Sequence, residues 1–176
     1  MKTNLPGLTA RIMMLSALVI GVLAAAGCVY QLGSSLPPNL QTIYLPMFVN
    51  KCGEPQVEND TTRAAIQEFQ KDGTLRVVPS AAEADLVLEV TLNRYKLTPL
   101  RYERDQSRTT REYRLRIGAD VVVRKTKPAG ILTRASVEGE TTFLVAGDLT
   151  NSKRTALPAA ALYLAHQIVE TVTEAW

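Results

Sequence analysis

Leu86-Val87-Leu88-Glu89-Val90-Thr91-Leu92-Asn93-Arg94-Tyr95-Lys96-Leu97 decides the architecture of this chain. Leu86, Leu88, Val90 and Leu92 alternate with Val87, Glu89, Thr91 and Asn93, the period-two pattern of a strand with one buried face. After Asn93 the apolar phase moves to Tyr95 and Leu97. A phase switch inside a strand predicts a bulge near Asn93 and Arg94. Downstream, two more runs keep the same period: Tyr113, Leu115, Ile117, Ala119, Val121, Val123, then Ile131, Thr133, Ala135, Val137, Gly139, Thr141, Phe143. Pro128, Ala129 and Gly130 make the turn between them. Upstream, residues 42–49 are apolar and strand-like, and Pro46 makes them an edge or bulged strand. A loop follows over residues 50–57. Thr62, Ala65, Ile66 and Phe69 then share one face of a helix from about Asn59 to Lys71, capped by Asn59 or Asp60 and ended by Gly73. Leu75–Val78 reads as a short strand closed by Pro79. A last helix carries Leu157, Ala161, Leu164, Ile168, Val172 and Ala175, and Pro158, tolerable in a first turn, places its start near Ala156. The order predicts an α+β two-layer sandwich, with two helices on one face of a mostly antiparallel or mixed sheet of about four strands.

The chain has 176 residues, 46% hydrophobic, 21% charged and 6% aromatic, a composition that excludes disordered and collagenous classes. Its start reads differently from the rest. Lys2 and Arg11 precede the uncharged run Ile12–Ala26. As a helix that run reaches about 22 Å, short of the roughly 30 Å hydrocarbon core of a bilayer. A basic start, a short apolar run and small residues describe a secretory signal peptide over residues 1–27. Ala25-Ala26-Gly27-Cys28 resembles the bacterial lipobox, with Ala25 where that motif usually has Leu. The resemblance implies acylation of Cys28 and a permanent membrane anchor, since several chains anchor stably where one does not. Val29, in place of an Asp, implies delivery to the outer membrane. Residues 28–41, with Gly33, Ser34, Ser35, Pro37, Pro38 and Asn39, form the lipidated N-terminus and tether, and residues 42–176 a single domain. Removing residues 1–27 leaves 18 basic and 17 acidic residues, too even a balance to suggest nucleic acid. Cys52 becomes the one remaining thiol, expected buried and inert.

Catalytic and cofactor patterns are missing from the sequence. His166 has no acidic or Cys partner at metal-ligand spacing and reads as a surface or half-buried residue. There is no phosphate-binding Gly-rich loop and no Gly-x-Ser-x-Gly elbow. Glu138 and Glu140 share a strand face, where a solvated surface accounts for them. Neither a catalytic residue, a metal nor a cofactor is expected.

One local feature is strongly basic. Arg94, Lys96, Arg101, Arg104, Arg108, Arg111, Arg114 and Arg116 lie within 23 residues, opposed by Glu103, Asp105 and Glu112 and interleaved with Tyr95, Tyr102 and Tyr113. Residues 98–112 read as the loop joining two long strands, which gathers this charge at one end of a hairpin. Arg114 and Arg116 project from the polar face of the next strand. Such a patch is either a solvated strand face or an anion site, because Arg forks bind phosphate bidentately. Arg94, Lys96, Arg101, Arg104 and Arg108 are the candidate ligand residues, for the phosphates of an envelope glycolipid.

Several segments together resemble a known family. They are Cys28–Gly33, Leu36-Pro37, Ile43–Phe48, Leu75–Val78, Ala82–Val90, Thr98–Leu100, Glu112–Leu115, Gly139–Val145, Gly147–Leu149 and Ile168–Glu170. In content and order they are similar to the LPS-assembly lipoprotein family LptE, over nearly the whole chain after Cys28. The resemblance implies a non-enzymatic protein held as a plug in the lumen of the outer-membrane β-barrel LptD. There it assists barrel assembly and contacts LPS. A different class, a lipoprotein that scaffolds or activates a cell-wall synthase, shares the anchor. It usually needs a longer tether than residues 29–41. An anchored hydrolase lacks its nucleophile and base.

Overall fold

The computed structural model describes residues 37, 39–102 and 110–175, and only the backbone of 101, 102, 110 and 111. Its elements are β1 (Thr42–Tyr44), β2 (Val49–Asn50), α1 (Val57–Asp72), β3 (Arg76–Val77), a 3-10 turn (Ala81–Glu83), β4 (Leu86–Tyr102), β5 (Thr110–Thr126), β6 (Ala129–Leu144) and α2 (Leu149–Thr173). The strands form one six-stranded mixed sheet in the order β3-β1-β4-β5-β6, and β2 also pairs with β4. The long strands β4, β5 and β6 are antiparallel, whereas β1 lies parallel to both β3 and β4. Both helices pack on one face. The α+β expectation holds, with six strands in place of about four. Pro46 has no N–H to give a ladder, and the run over residues 42–49 divides around it into β1 and β2, with β1 inside the sheet rather than at its edge.

Alternation along the long strands separates the two faces. Leu86, Leu88, Val90 and Leu92 of β4 and Leu115, Ile117, Ala119, Val121 and Val123 of β5 are buried beneath the helices. The bulge falls where the phase switch placed it. Leu92 opposes Ala119 and Arg94 opposes Gly118, so Asn93 is the extra residue. A second irregularity lies between Val123 and Arg124, where Thr133 and Ile131 are the successive partners. It turns Leu132 toward the core and leaves Ile131 43% exposed, the reverse of their reading from alternation.

Helix α1 starts at Val57, earlier than Asn59, behind Gln56 in a left-handed conformation (φ 68°), and ends as expected at Gly73 (φ 74°). Val57, Ala65 and Phe69 seal it into the core. Helix α2 begins at Leu149, not near Ala156. Asp148 caps it, its carboxylate accepting the N–H groups of Thr150 (3.1 Å) and Asn151 (2.9 Å). Pro158 therefore sits inside the helix, where the Arg154 carbonyl loses its usual donor. Helix α2 lies close on β6 through small residues. A Cβ on Gly139 would stand 2.5 Å from the Ala160 carbonyl oxygen and 2.6 Å from Leu164 N and Cβ.

Candidate functional site

Among the described residues no helix covers the other side of the sheet, and that side is polar. Across β4, β5 and β6 the register aligns Arg94, Gly118 and Glu138 in one row, and Lys96, Arg116 and Glu140 in the next. Arg94 pairs with Glu138 at 3.1 Å and Arg116 with Glu140 at 2.9 Å. Arg114 Nε lies 3.9 Å from Glu140, too far for a hydrogen bond, and is buried without a hydrogen-bond partner among the described residues. Lys96 is exposed directly opposite Arg116. In these two rows Arg94, Lys96 and Arg116 face Glu138 and Glu140, and Arg114 stands in the next row between Thr98 and Thr142. Nearer the other end the face is a neutral network. Asp120 accepts from Asn93 Nδ2 and from Ser136 Oγ, each at 2.7 Å, and these bonds, Ser136's first, hold its carboxyl below the usual range. Arg124 reaches Glu89 at 2.9 Å.

The bulge builds the patch. Its extra residue places Asn93 and Arg94 on the same open face, opposite Gly118, where a Cβ would meet Asn93 Oδ1 at 3.0 Å and Arg94 Cβ at 3.1 Å. Of the five candidate ligand residues, Arg94 and Lys96 are brought together here. Arg101 belongs to the strand backbone, opposite Glu112. Arg104 and Arg108 lie outside the described residues. Residues 98–102 and 110–112 are strand rather than loop, so the hairpin is longer than the sequence pattern implied. Apolar alternation fades there although pairing continues. Arg114 and Arg116 were legible as polar-face residues. Only the β4–β5 register places them beside Lys96.

The opposite end of the sheet holds the chain's entry. Asp85 Oδ2 accepts the backbone N–H groups of Gln41 and Thr42, both at 3.0 Å, and the Thr42 hydroxyl at 2.8 Å. Its own N–H donates to Thr42 Oγ1 at 2.9 Å. These bonds, the Gln41 N–H first and the Thr42 hydroxyl second, hold the Asp85 carboxyl below its usual range. Near the N-termini of both helices, Lys153 and Glu54 form a 2.5 Å ion pair, and Lys153 stands 5.9 Å over the Tyr95 ring. Burial, then the charges of Glu54 and Cys52, push the Tyr95 hydroxyl up to about 12. Cys52 is half-buried rather than fully buried, with Sγ 3.1 Å from Asn50 Oδ1. His166 is exposed, its Nδ1 3.4 Å from Glu68 on α1. No group of three or more metal-ligating side chains gathers among the described residues.

Fold and face define a class: a small two-layer α+β protein with one helix-covered sheet face and one uncovered, charged sheet face. The family model for LptE, lipopolysaccharide assembly, matches residues 40–174, and the chain belongs to that family. No curated protein sequence matches it. Among solved structures, the hypothetical protein CT253 from Chlamydia trachomatis is similar with a TM-score of 0.54 at 10% identity, over 76% of this chain and 96% of that one. Protein XCC0632 from Xanthomonas campestris has a TM-score of 0.53 at 10% identity, over 80% and 90%. The rare lipoprotein B from Shewanella oneidensis has a TM-score of 0.46 at 12% identity, over 75% and 93%. The first two likenesses establish a shared fold and nothing finer.

Proposed function

We propose that this protein is an outer-membrane lipoprotein, acylated at Cys28, that plugs the lumen of an LptD-like β-barrel, assists its assembly and contacts LPS during insertion. Family membership supports a binding and assembly role rather than catalysis. The observation that carries the finer reading is a matter of length. Strands β4 and β5 each have 17 residues. At about 3.3 Å per residue such a strand spans roughly 55 Å, more than the roughly 40–45 Å of a bilayer with its headgroups. The chain enters at Gln41 and Thr42, beside Asp85 at the start of β4, and the basic residues sit toward the far end of the hairpin. An anchor at the inner leaflet therefore leaves the hairpin long enough to carry its cations to the level of outer-leaflet phosphates. No helix among the described residues is long and apolar enough to cross a membrane. The uncovered polar sheet face is the kind of surface a polar barrel lumen accepts.

The test is affinity purification of the full-length protein from outer membranes in mild detergent. A near-stoichiometric large β-barrel is the expected companion. Recovery of a cell-wall synthase in its place would overturn the plug reading and favour a scaffolding lipoprotein.

A further inference from the structure

Strand β6 closes the sheet on one side, and among the described residues no strand pairs with its outer edge. Long free edges invite pairing unless Pro, Lys or a bulge blocks them. From Thr133 to Leu144 the strand is regular against β5 and contains neither Pro nor Lys. We propose that this edge pairs antiparallel with β6 of a second copy of this chain, about a twofold axis at Val137, joining two sheets into one. This goes beyond the barrel reading and concerns the free protein.

The occupant follows from self-complementarity. A twofold axis perpendicular to the sheet sets residues of the same face opposite each other. About Val137, Arg134 meets Glu140 of the second copy, Ser136 meets Glu138, Ala135 meets Gly139 and Thr133 meets Thr141. Every charge on the stretch then faces an opposite charge or a hydroxyl. Arg134 is exposed and makes no ion pair among the described residues, so its charge is unspent within one copy. On the helix side Val137 meets its own counterpart, and the flanking pairs are small.

The helix layer fits the same axis. Helix α2 lies over β6, touching it at Gly139. Its edge-facing wall, with Thr155, Ala156 and Ala159, lines a groove of about 340 Å³ with residues 141–144. One turn on, Leu162 is 51% and Tyr163 50% exposed. Paired edges stand about 4.8 Å apart. Because α2 packs on β5 as well as on β6, its axis is set back from the edge, and two such helices come near the roughly 8–10 Å of ordinary helix packing, with Ala159 and Tyr163 toward their counterparts.

The experiment uses the full-length chain in mild detergent with Cys52→Ser as background. Sedimentation is expected to show a dimer, and Val137→Cys to form an intermolecular disulfide on oxidation that the background does not. Arg134→Glu, which opposes like charges, and Tyr163→Lys are each expected to weaken the dimer about tenfold or more without lowering the melting temperature. A monomer at about 100 µM, well above the range of a specific modest interface, would overturn the proposal. So would a dimer that ignores both charge variants and is not trapped through Val137→Cys.

Discussion

A single methyl group at position 139 would collide with the backbone of α2, which cannot yield as a flexible side chain can. Gly139→Ala is expected to cost about 3 kcal/mol through overpacking, read as a lower urea midpoint. Gly118→Ala meets Asn93 Oδ1 at 3.0 Å, a side-chain end that can shift, and Arg94 Cβ at 3.1 Å, which yields only with a small movement of the bulged strand. Its cost is about 1 kcal/mol. Asp85 gives a test through pH. Its folded carboxyl is held below the unfolded value near 3.9, so the stability it contributes is present above that value and lost as pH falls through the folded pKa. Asp85→Asn should therefore melt lower than the parent at pH 7, with the gap closing below about pH 4. A gap independent of pH would assign the effect to shape rather than charge.

Among the elements, the long strands were the most legible, because one buried face writes itself as period-two alternation. The Asn93 bulge was legible for the same reason: it interrupts an otherwise clean phase. The second irregularity was not, because Ile131 and Leu132 are both apolar and either could face the core. The short strands β1, β2 and β3, of two or three residues, are too short to show a period, and residues 42–49 and 75–78 read as strand from apolar runs closed or broken by Pro. The start of α2 was misplaced because Pro158 outweighed Asp148, although Gly147-Asp148 is itself a start signal, with Gly147 at φ 80° and Asp148 as cap. Buried Ala156, Leu157, Ala160 and Ala161 carry the helix through the proline. Pro158→Ala, at an exposed site, restores the missing donor and should stabilise the protein by about 1–3 kcal/mol, read by thermal melting.

For the whole molecule, the basic cluster was visible in the sequence as composition, but its geometry was not. Pairing partners 20 or more residues away, set by the β4–β5–β6 register, decide which cations are neutralised: Glu138 takes Arg94, and Glu140 takes Arg116. Lys96 gains no such partner from the β6 glutamates. Neutralising Arg101, Arg104 and Arg108 together is expected to weaken LPS binding about tenfold or more, with binding falling steeply as salt rises and the fold unchanged by circular dichroism. Unchanged affinity would remove the hairpin end from the ligand reading and leave Lys96, Arg114 and Arg116 to be tested by themselves. The family was legible from segments spread along the chain, because element order survives where single motifs are weak.

The Asp85 knot has a mechanical meaning. Any tension applied to the chain ahead of Pro37 reaches the folded body at Leu40, which is buried in the core, and then at Gln41 and Thr42, whose N–H groups are fastened to one carboxylate. Behind them β1 is gripped on both sides by parallel neighbours. A pull along the strand loads these bonds together, in shear, rather than peeling them one by one. The fold thus has a fixed mooring point: on the proposed lipid anchor, a pull from the membrane would be taken up at the start of the sheet, before it reaches the long paired strands.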